Sequence, residues 1–120
     1  MNNKGTKYER LAEKHLLKNG LKLIARNYSC RLGEIDLIMR DHHAIVFVEV
    51  RYRKTDTFGS AQESINNTKQ AKLVKTALLY MQQHKLFDST CRFDTVTFDT
   101  HERKQPINWI KSAFGAPEYQ

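Results

Sequence analysis

Two runs of apolar and β-branched residues joined by a short polar bridge constrain the fold of this chain more than any other segment. The first run spans residues 33–40 and reads GEIDLIMR, the second spans residues 45–51 and reads IVFVEVR, and the bridge reads DHHA. Runs of this kind on either side of a short polar loop predict a β-hairpin. If His42 and His43 form a two-residue loop, position 41 faces position 44 and the rest of the register follows.

This register predicts a cluster of acidic side chains on one face of the hairpin. It places Asp36 opposite Glu49 and Glu34 opposite Arg51, and residues that face each other in an antiparallel pair share a face. Carboxylates held together repel one another unless a cation lies between them. Asp36 and Glu49, with the carbonyl of Val50 and waters, would form an all-oxygen site of the kind that binds Mg²⁺ or Mn²⁺. For Glu34 the alternative is a simple cross-strand ion pair with Arg51.

The spacing from Asp36 to Glu49-Val50-Arg51 resembles the PD-(D/E)XK nuclease motif, with Arg51 where that superfamily usually has lysine. The wider sequence resembles the YraN family of small endonuclease-like bacterial proteins, which are similar to Holliday junction resolvases. The residues that carry the resemblance are Gly5, Glu9, Ala12, residues 25–27, 33–38 and 47–51, Phe58, Gly59, Lys69, Gln70 and residues 92–94. The resemblance implies an α/β fold with a restriction-endonuclease-like core, in which helices flank a central mixed sheet of four to five strands.

The same resemblance implies catalytic roles for Asp36, Glu49, Arg51 and Glu9. A glutamate on the first helix of such nucleases points into the active site, and Glu9 matches it. The spacing of Thr6 and Glu9 equally suits a capping box at the start of a helix, so the two roles of Glu9 stay open. Arginine cannot act as a base at ordinary pH, so Arg51 is expected to bind a phosphate oxygen and stabilise developing charge.

Basic and amide side chains near these segments are candidates for nucleic-acid contacts. Arg53 and Lys54 follow the hairpin in a polar stretch that predicts a loop. Lys69 and Lys72 recur on one stripe of a predicted helix, and the family resemblance includes Lys69 and Gln70. The alternative for each lysine is an exposed helix face that keeps the protein in solution.

Composition and length set broad limits on the kind of protein. The chain has 120 residues, 40% hydrophobic and 28% charged, which predicts one globular domain spanning residues 1–120. No run approaches the length of a membrane span, and the first residues lack the apolar core of a signal peptide, so a cytoplasmic protein is expected. The formal net charge of +7 favours polyanionic partners such as DNA.

Periodicity predicts the remaining elements. Helices are expected over residues 7–19 and 67–84, and strands over residues 21–31 and 91–99. Pro106 and the spacing of Ile107 and Ile110 predict a short last helix over residues 106–114. Cys30 and Cys91 have no metal-binding spacing and are expected to be two buried free thiols in a reducing compartment.

These features predict a Mg²⁺- or Mn²⁺-dependent endonuclease that cuts DNA, with branched recombination or repair intermediates among its candidate substrates. By analogy with the resolvases, a homodimer is one candidate assembly. The main alternative is a nucleic-acid-binding module that has the fold without the chemistry. A further alternative is an accessory protein that docks on a larger repair or recombination enzyme. Metal-dependent cleavage of DNA would distinguish the endonuclease hypothesis from the other two.

Overall fold

A computed structural model describes residues 3–53, 66–86, 88–99 and 107–114. The elements in chain order are α1 (Asn3–Lys18), β1 (Lys22–Cys30), β2 (Gly33–Asp41), β3 (Ala44–Arg53), α2 (Asn67–Gln83), β4 (Cys91–Asp99) and β5 (Ile107–Phe114). The five strands form one sheet in the order β1-β2-β3-β4-β5. Strands β3 and β4 are parallel, and the other neighbours are antiparallel. The predicted α/β fold is confirmed. It is a mixed sheet flanked by helices, which is consistent with a restriction-endonuclease-like core.

The two helices cover opposite faces of the sheet. Helix α1 buries Tyr8, Ala12 and Leu16 in a cluster that includes Leu37, Met39, Val46, Val48, Val96 and Phe98. Helix α2 buries Leu73, Val74, Ala77, Tyr80 and Met81 in a second cluster with Ile35, Ile38, Ile45, Phe47 and Phe93. Because the central strands are buried on both faces, their apolar runs are nearly continuous in the sequence. Among the described residues, no helix is long and apolar enough to cross a bilayer.

The hairpin register follows the prediction from its turn. Asp41 pairs with Ala44, and the pairing continues to Leu37 opposite Val48. His42 has a positive φ of 56°, as a residue in a tight hairpin loop often does. Positions 36 and 49 therefore lie one step beyond the last ladder pair.

The side chains of β2 do not alternate regularly between the two faces of the sheet near Asp36. Ile35 and Ile38 both pack in the cluster on the α2 face, whereas Leu37 packs on the α1 face. Side chains of a regular strand alternate strictly, so the pattern is interrupted between Ile35 and Leu37. The neighbouring strand has a matching irregularity, because Asn27 has a φ of 50° between the pairs Arg26–Leu37 and Tyr28–Ile35. Asparagine tolerates this left-handed conformation better than most residues.

The predicted helix over residues 106–114 is wrong, because residues 107–114 form strand β5. Without β5, strand β4 would be an unpaired sheet edge. The strand also satisfies Asp94, a fully buried carboxylate that accepts hydrogen bonds from Trp109 Nε1 at 2.9 Å and Ser112 N at 3.0 Å. Arg92 Nε donates to the same carboxylate at 3.0 Å. These hydrogen bonds to Asp94 favour an extended conformation of residues 107–114. The helical spacing of Ile107 and Ile110 had pointed to a helix instead.

The start of α1 also differs from the prediction. The helix begins at Asn3, so Thr6 and Glu9 both lie inside it and do not form the predicted capping box. Helix α2 follows its prediction closely, and its cap is Asn66, whose side chain accepts the N–H of Lys69 at 2.9 Å. Cys30 and Cys91 are free thiols, and both are half-buried rather than buried as predicted.

Candidate active site

Asp36 and Glu49 meet where the β2–β3 ladder ends. Asp36 Oδ2 accepts the backbone N–H of Val50 at 2.8 Å. This side-chain bond follows the last backbone pair, Leu37–Val48, so the carboxylate substitutes for a ladder acceptor as the two strands separate. The side chain of Glu49 is only 5% exposed. The predicted juxtaposition of the two acids is thus present in the structure.

The surroundings of Asp36 favour its protonated form. Burial raises the pKa of Asp36 to about 8, and the negative charge of Glu49 acts in the same direction. The hydrogen bond from Val50 opposes this rise, while Glu9 adds to it. At neutral pH the Asp36 carboxyl therefore carries a proton and is hydrogen-bonded to Glu49. A cation placed between the two groups could replace that proton.

Two cationic side chains flank Glu49. Lys69 Nζ lies 3.0 Å and Arg51 Nε lies 3.3 Å from Glu49 Oε2. Arg51 Nε is buried and has no hydrogen-bond partner within the described part of the chain, since its direction to Glu49 is unfavourable for a hydrogen bond. The predicted alternative for Glu34 is wrong, because in the described ranges the ion pair of Arg51 is with Glu49 and not with Glu34.

Glu9 enters the same cluster from α1. Burial raises the pKa of Glu9, and the charges of Glu34 and Glu49 raise it further, against the effect of hydrogen bonds from Asp36 and Asn27. These interactions place Glu9 with the acids of the sheet, so of its two predicted roles only a place in the site is compatible with the structure. The irregular backbone at Asn27 brings that side chain to the cluster.

A cleft opens on both sides of the acids, formed by two cavities that share Asp36, Glu49 and Lys69 in their walls. The first, about 400 Å³, faces α2 and is also lined by Gly33, Glu34, Asn66, Thr68, Lys72 and Leu73. The second, about 320 Å³, faces α1 and is also lined by Tyr8, Glu9, Val50, Arg51 and Tyr52. We call the two together the acidic cleft.

The donor atoms at the acidic cleft fit a hard divalent cation. In a strand the N–H and C=O of one residue point to the same side. The Val50 N–H points towards Asp36, so the Val50 carbonyl faces that side of the strand as well. Within the described ranges, no group of three or more His, Cys, Asp or Glu side chains could hold a metal ion. The fitting set is therefore the two carboxylates and one carbonyl, completed by water, which is a set that Mg²⁺ accepts.

The residues predicted to contact nucleic acid are only partly placed by the structure. Lys69 and Lys72 line the cavity that faces α2. Gln70 lies on the same helical turn and is half-buried. The side chain of Arg53 and the whole of Lys54 lie outside the described residues. Lys69 also contacts the carboxylate of Glu49 directly, with Nζ 3.0 Å from Oε2.

Two features of the site had little signal in the sequence. Tyr8 and Tyr52 stack with ring centroids 4.4 Å apart and form one wall of the cleft. Gly33 lies so close to α2 that an added Cβ would stand 2.8 Å from Thr76 Oγ1. A glycine near the start of a strand can allow another backbone or side chain to approach closely. The sequence spacing does not predict that the group near Gly33 is Thr76 of α2.

The close approach of α2 to Gly33 predicts a measurable steric coupling. We expect Gly33→Ala to lower the free energy of unfolding by about 1–3 kcal/mol, because Thr76 is fully buried and β-branched and cannot move away. In a double-mutant cycle, Thr76→Ala should recover part of the loss, measured by urea unfolding. Strictly additive effects of the two substitutions would contradict this contact.

Comparison with known proteins identifies relatives along most of the chain. The model of the uncharacterised protein family UPF0102 matches residues 8–98. A UPF0102 protein of Stutzerimonas stutzeri is 46% identical over 111 residues, which cover 92% of each chain. A UPF0102 protein of Saccharophagus degradans is 48% identical over 94% of this chain and 93% of its own. Pyrococcus furiosus SfsA, solved in complex with Ca²⁺, covers 89% of this chain and 62% of its own at 15% identity, with a TM-score of 0.33, too low to support a conclusion.

Proposed function

This chain belongs to the family UPF0102, as its resemblance to YraN proteins predicted, and we propose that it is a divalent-metal-dependent endonuclease that hydrolyses DNA phosphodiesters. The observation that carries the proposal is the meeting of Asp36 and Glu49 in the acidic cleft. Two facing acids repel each other when both are ionised, and such repulsion is typical of sites that bind a cation.

Asp36, Glu49 and the Val50 carbonyl are the groups that hold the ion in this proposal. Mg²⁺ or Mn²⁺, when bound, supplies charge stabilisation for the reacting phosphate and lowers the pKa of water. The chain contributes the geometry: the Val50 N–H fixes Asp36 at 2.8 Å, and burial among strands fixes Glu49.

Arg51 and Lys69 act on the phosphate and on the attacking water. The buried Nε of Arg51 has no hydrogen-bond acceptor in the described ranges, so a phosphate oxygen is a suitable partner for it. Arg51 stays charged and stabilises the negative charge that develops in the transition state. Lys69 Nζ, 3.0 Å from Glu49 Oε2, is placed to orient the water beside the carboxylates.

Glu9 is the proton acceptor in this proposal. Its pKa is raised by burial and by the charge of Glu34, which moves the group towards the range where a carboxylate works well as a general base. Glu9 lines the same cavity as Arg51 and Asp36, so the proton of an attacking water is within its reach. In this proposal Glu9 takes the base role that Arg51 cannot fill.

The charge of the protein supports DNA as substrate and the cytoplasm as its location. The formal net charge of the whole chain is +7, which favours association with a polyanion. Cys30 and Cys91 are free thiols, which suits a reducing compartment.

The second candidate function is a DNA-binding module without hydrolysis. One observation favours it: Lys69 and Arg51 already lie beside Glu49, so the carboxylate has cationic partners without a metal. In that case the basic side chains of the cleft bind the backbone, and the acids serve to position them.

Cleavage assays separate the two candidates. Single-stranded, duplex, flapped and four-way DNA are incubated with Mg²⁺, Mn²⁺ or EDTA, using the natural chain, Glu49→Gln and the matched control Asp88→Asn, which neutralises an exposed acid between α2 and β4. We expect cutting that requires the metal, is lost in Glu49→Gln and persists in Asp88→Asn. Salt-sensitive binding without cutting of any of the four substrates would instead support the binding module.

A further inference from the structure

Helix α1 separates its charges by sign. Its two acids face inward: Glu9 joins the acidic cleft, and Glu13 accepts two hydrogen bonds from Arg26 of β1, at 2.7 and 2.8 Å. Glu13 is only 9% exposed. The outward face of the described helix therefore carries no acidic side chain.

The outward face carries a line of basic side chains, which we call the α1 basic stripe: Lys7, Arg10, Lys14 and Lys18. All four are exposed. They recur every three to four residues, so they share one face and extend over roughly 16 Å of helix. Within the described ranges none of them forms an ion pair, which leaves four cations facing solvent. An exposed helix that served solubility alone would usually mix both signs.

The stripe begins at the rim of the acidic cleft. Lys7 precedes Tyr8 and Glu9, which line the cavity on the α1 side. The helix then runs to the far end of the sheet, where Leu21 N bonds to Leu16 O and β1 begins. A nucleic-acid segment lying along the stripe would thus reach the cleft at one end.

We propose that the α1 basic stripe binds the phosphate backbone of a duplex DNA segment that flanks the bond to be cut. Four unpaired cations in line match a regularly spaced polyanion. An anionic lipid surface fits less well, because an interfacial helix inserts its apolar face. The main apolar face of α1, with Tyr8, Ala12 and Leu16, is buried against the sheet instead, and of the other leucines Leu11 is 38% and Leu17 is 44% exposed. The link to cleavage rests on the proposed function, whereas the binding itself does not.

The test compares two double variants with the same change in charge. Arg10→Gln/Lys14→Gln neutralises the middle of the stripe. The control Arg40→Gln/Lys85→Gln neutralises an exposed arginine and lysine on the side of the sheet near Tyr80 of α2. The binding of a labelled 30-base-pair duplex is measured by fluorescence anisotropy between 50 and 200 mM salt, without divalent metal.

We expect the stripe variant to reduce the slope of log K against log salt by about 2 and to weaken binding roughly tenfold or more at 100 mM salt. The control should keep the natural slope. Equal losses in both variants would overturn the proposal, because they would reflect net charge alone. Unchanged duplex binding with reduced binding to vesicles containing phosphatidylserine would overturn it in favour of a lipid surface.

Hydrolysis of the small diester bis(p-nitrophenyl) phosphate distinguishes failure of this inference from failure of the proposed function. The small substrate occupies the cleft without reaching the stripe, so both double variants should hydrolyse it at the natural rate if the chain is a nuclease. If the natural chain does not hydrolyse it, the nuclease proposal fails, and the salt slopes still decide whether the stripe binds DNA.

Discussion

Asp36→Asn is expected to abolish phosphodiester hydrolysis and at the same time to stabilise the folded protein at pH 8. The amide can accept the Val50 N–H and donate to Glu49, as the protonated acid does, so the fold keeps both contacts. It cannot supply the negative charge that a divalent ion needs. We expect a loss of at least about 10³-fold in kcat, of the order found when charge stabilisation is removed from an active site.

The gain in stability depends on pH in a defined direction. The pKa of Asp36 is about 8 in the folded protein, above the value of about 3.9 for an unfolded chain. Between these values the unfolded chain is ionised while the folded one holds its proton, so the natural protein loses stability as pH rises from 4 to 8. The variant lacks this loss. Each unit of pKa shift corresponds to about 1.4 kcal/mol, and we expect a difference of at least about 2 kcal/mol at pH 8.

Urea unfolding at pH 5, 6.5 and 8 in EDTA measures this difference. The matched control is Glu34→Gln, an exposed acid on the same strand, which should stay within about 0.5 kcal/mol of the natural protein. The stability difference between Asp36→Asn and the natural chain should grow with pH. If it does not, Asp36 does not hold a proton that it shares with Glu49 in the folded protein.

Lys69→Met is expected to separate catalysis from metal binding. Removing the ammonium 3.0 Å from Glu49 Oε2 takes away a group that orients the attacking water, and we expect kcat to fall by about 10²-fold. The same change removes a cation that competes with the metal for Glu49, so Mn²⁺ should bind several-fold more tightly. A structural role alone would not move these two quantities in opposite directions.

The control for this pair of measurements is Lys72→Met, which lines the same cavity. Its loss should weaken DNA binding and leave the affinity for Mn²⁺ unchanged. Metal binding by Lys69→Met that is weaker than in the natural chain would show that Lys69 supports the site by packing and would remove it from the mechanism.

The hairpin and its acids could be predicted from the sequence because the signal is local. A two-residue loop fixes the register, and the register fixes which side chains face each other. Asp36 and Glu49 meet for this reason. The prediction did not contain the break in alternation at Asp36, since it depends on a left-handed Asn27 in a different strand.

Contacts between distant elements had no such local signal. The ion pair of Lys69 with Glu49 depends on where α2 crosses the sheet, which Gly33 and Thr76 help to determine. Strand β5 was predicted as a helix because Ile107 and Ile110 have helical spacing, whereas in the strand Ile107 and Trp109 pack on the same cluster. The buried carboxylate that β5 satisfies, Asp94, lies in β4. Burial and sheet-edge pairing override local spacing at such positions.

Calorimetric titration with Mn²⁺ at pH 7 shows whether Asp36 and Glu49 form a site for one divalent ion. Titration in two buffers of different ionisation enthalpy also counts protons. We expect saturable binding of one ion per chain with release of about one proton, because the ion replaces the proton on Asp36. Binding should be lost in both Asp36→Asn and Glu49→Gln. If the natural chain shows no saturable binding, or if neither substitution weakens binding, Asp36 and Glu49 do not form a site for a divalent ion.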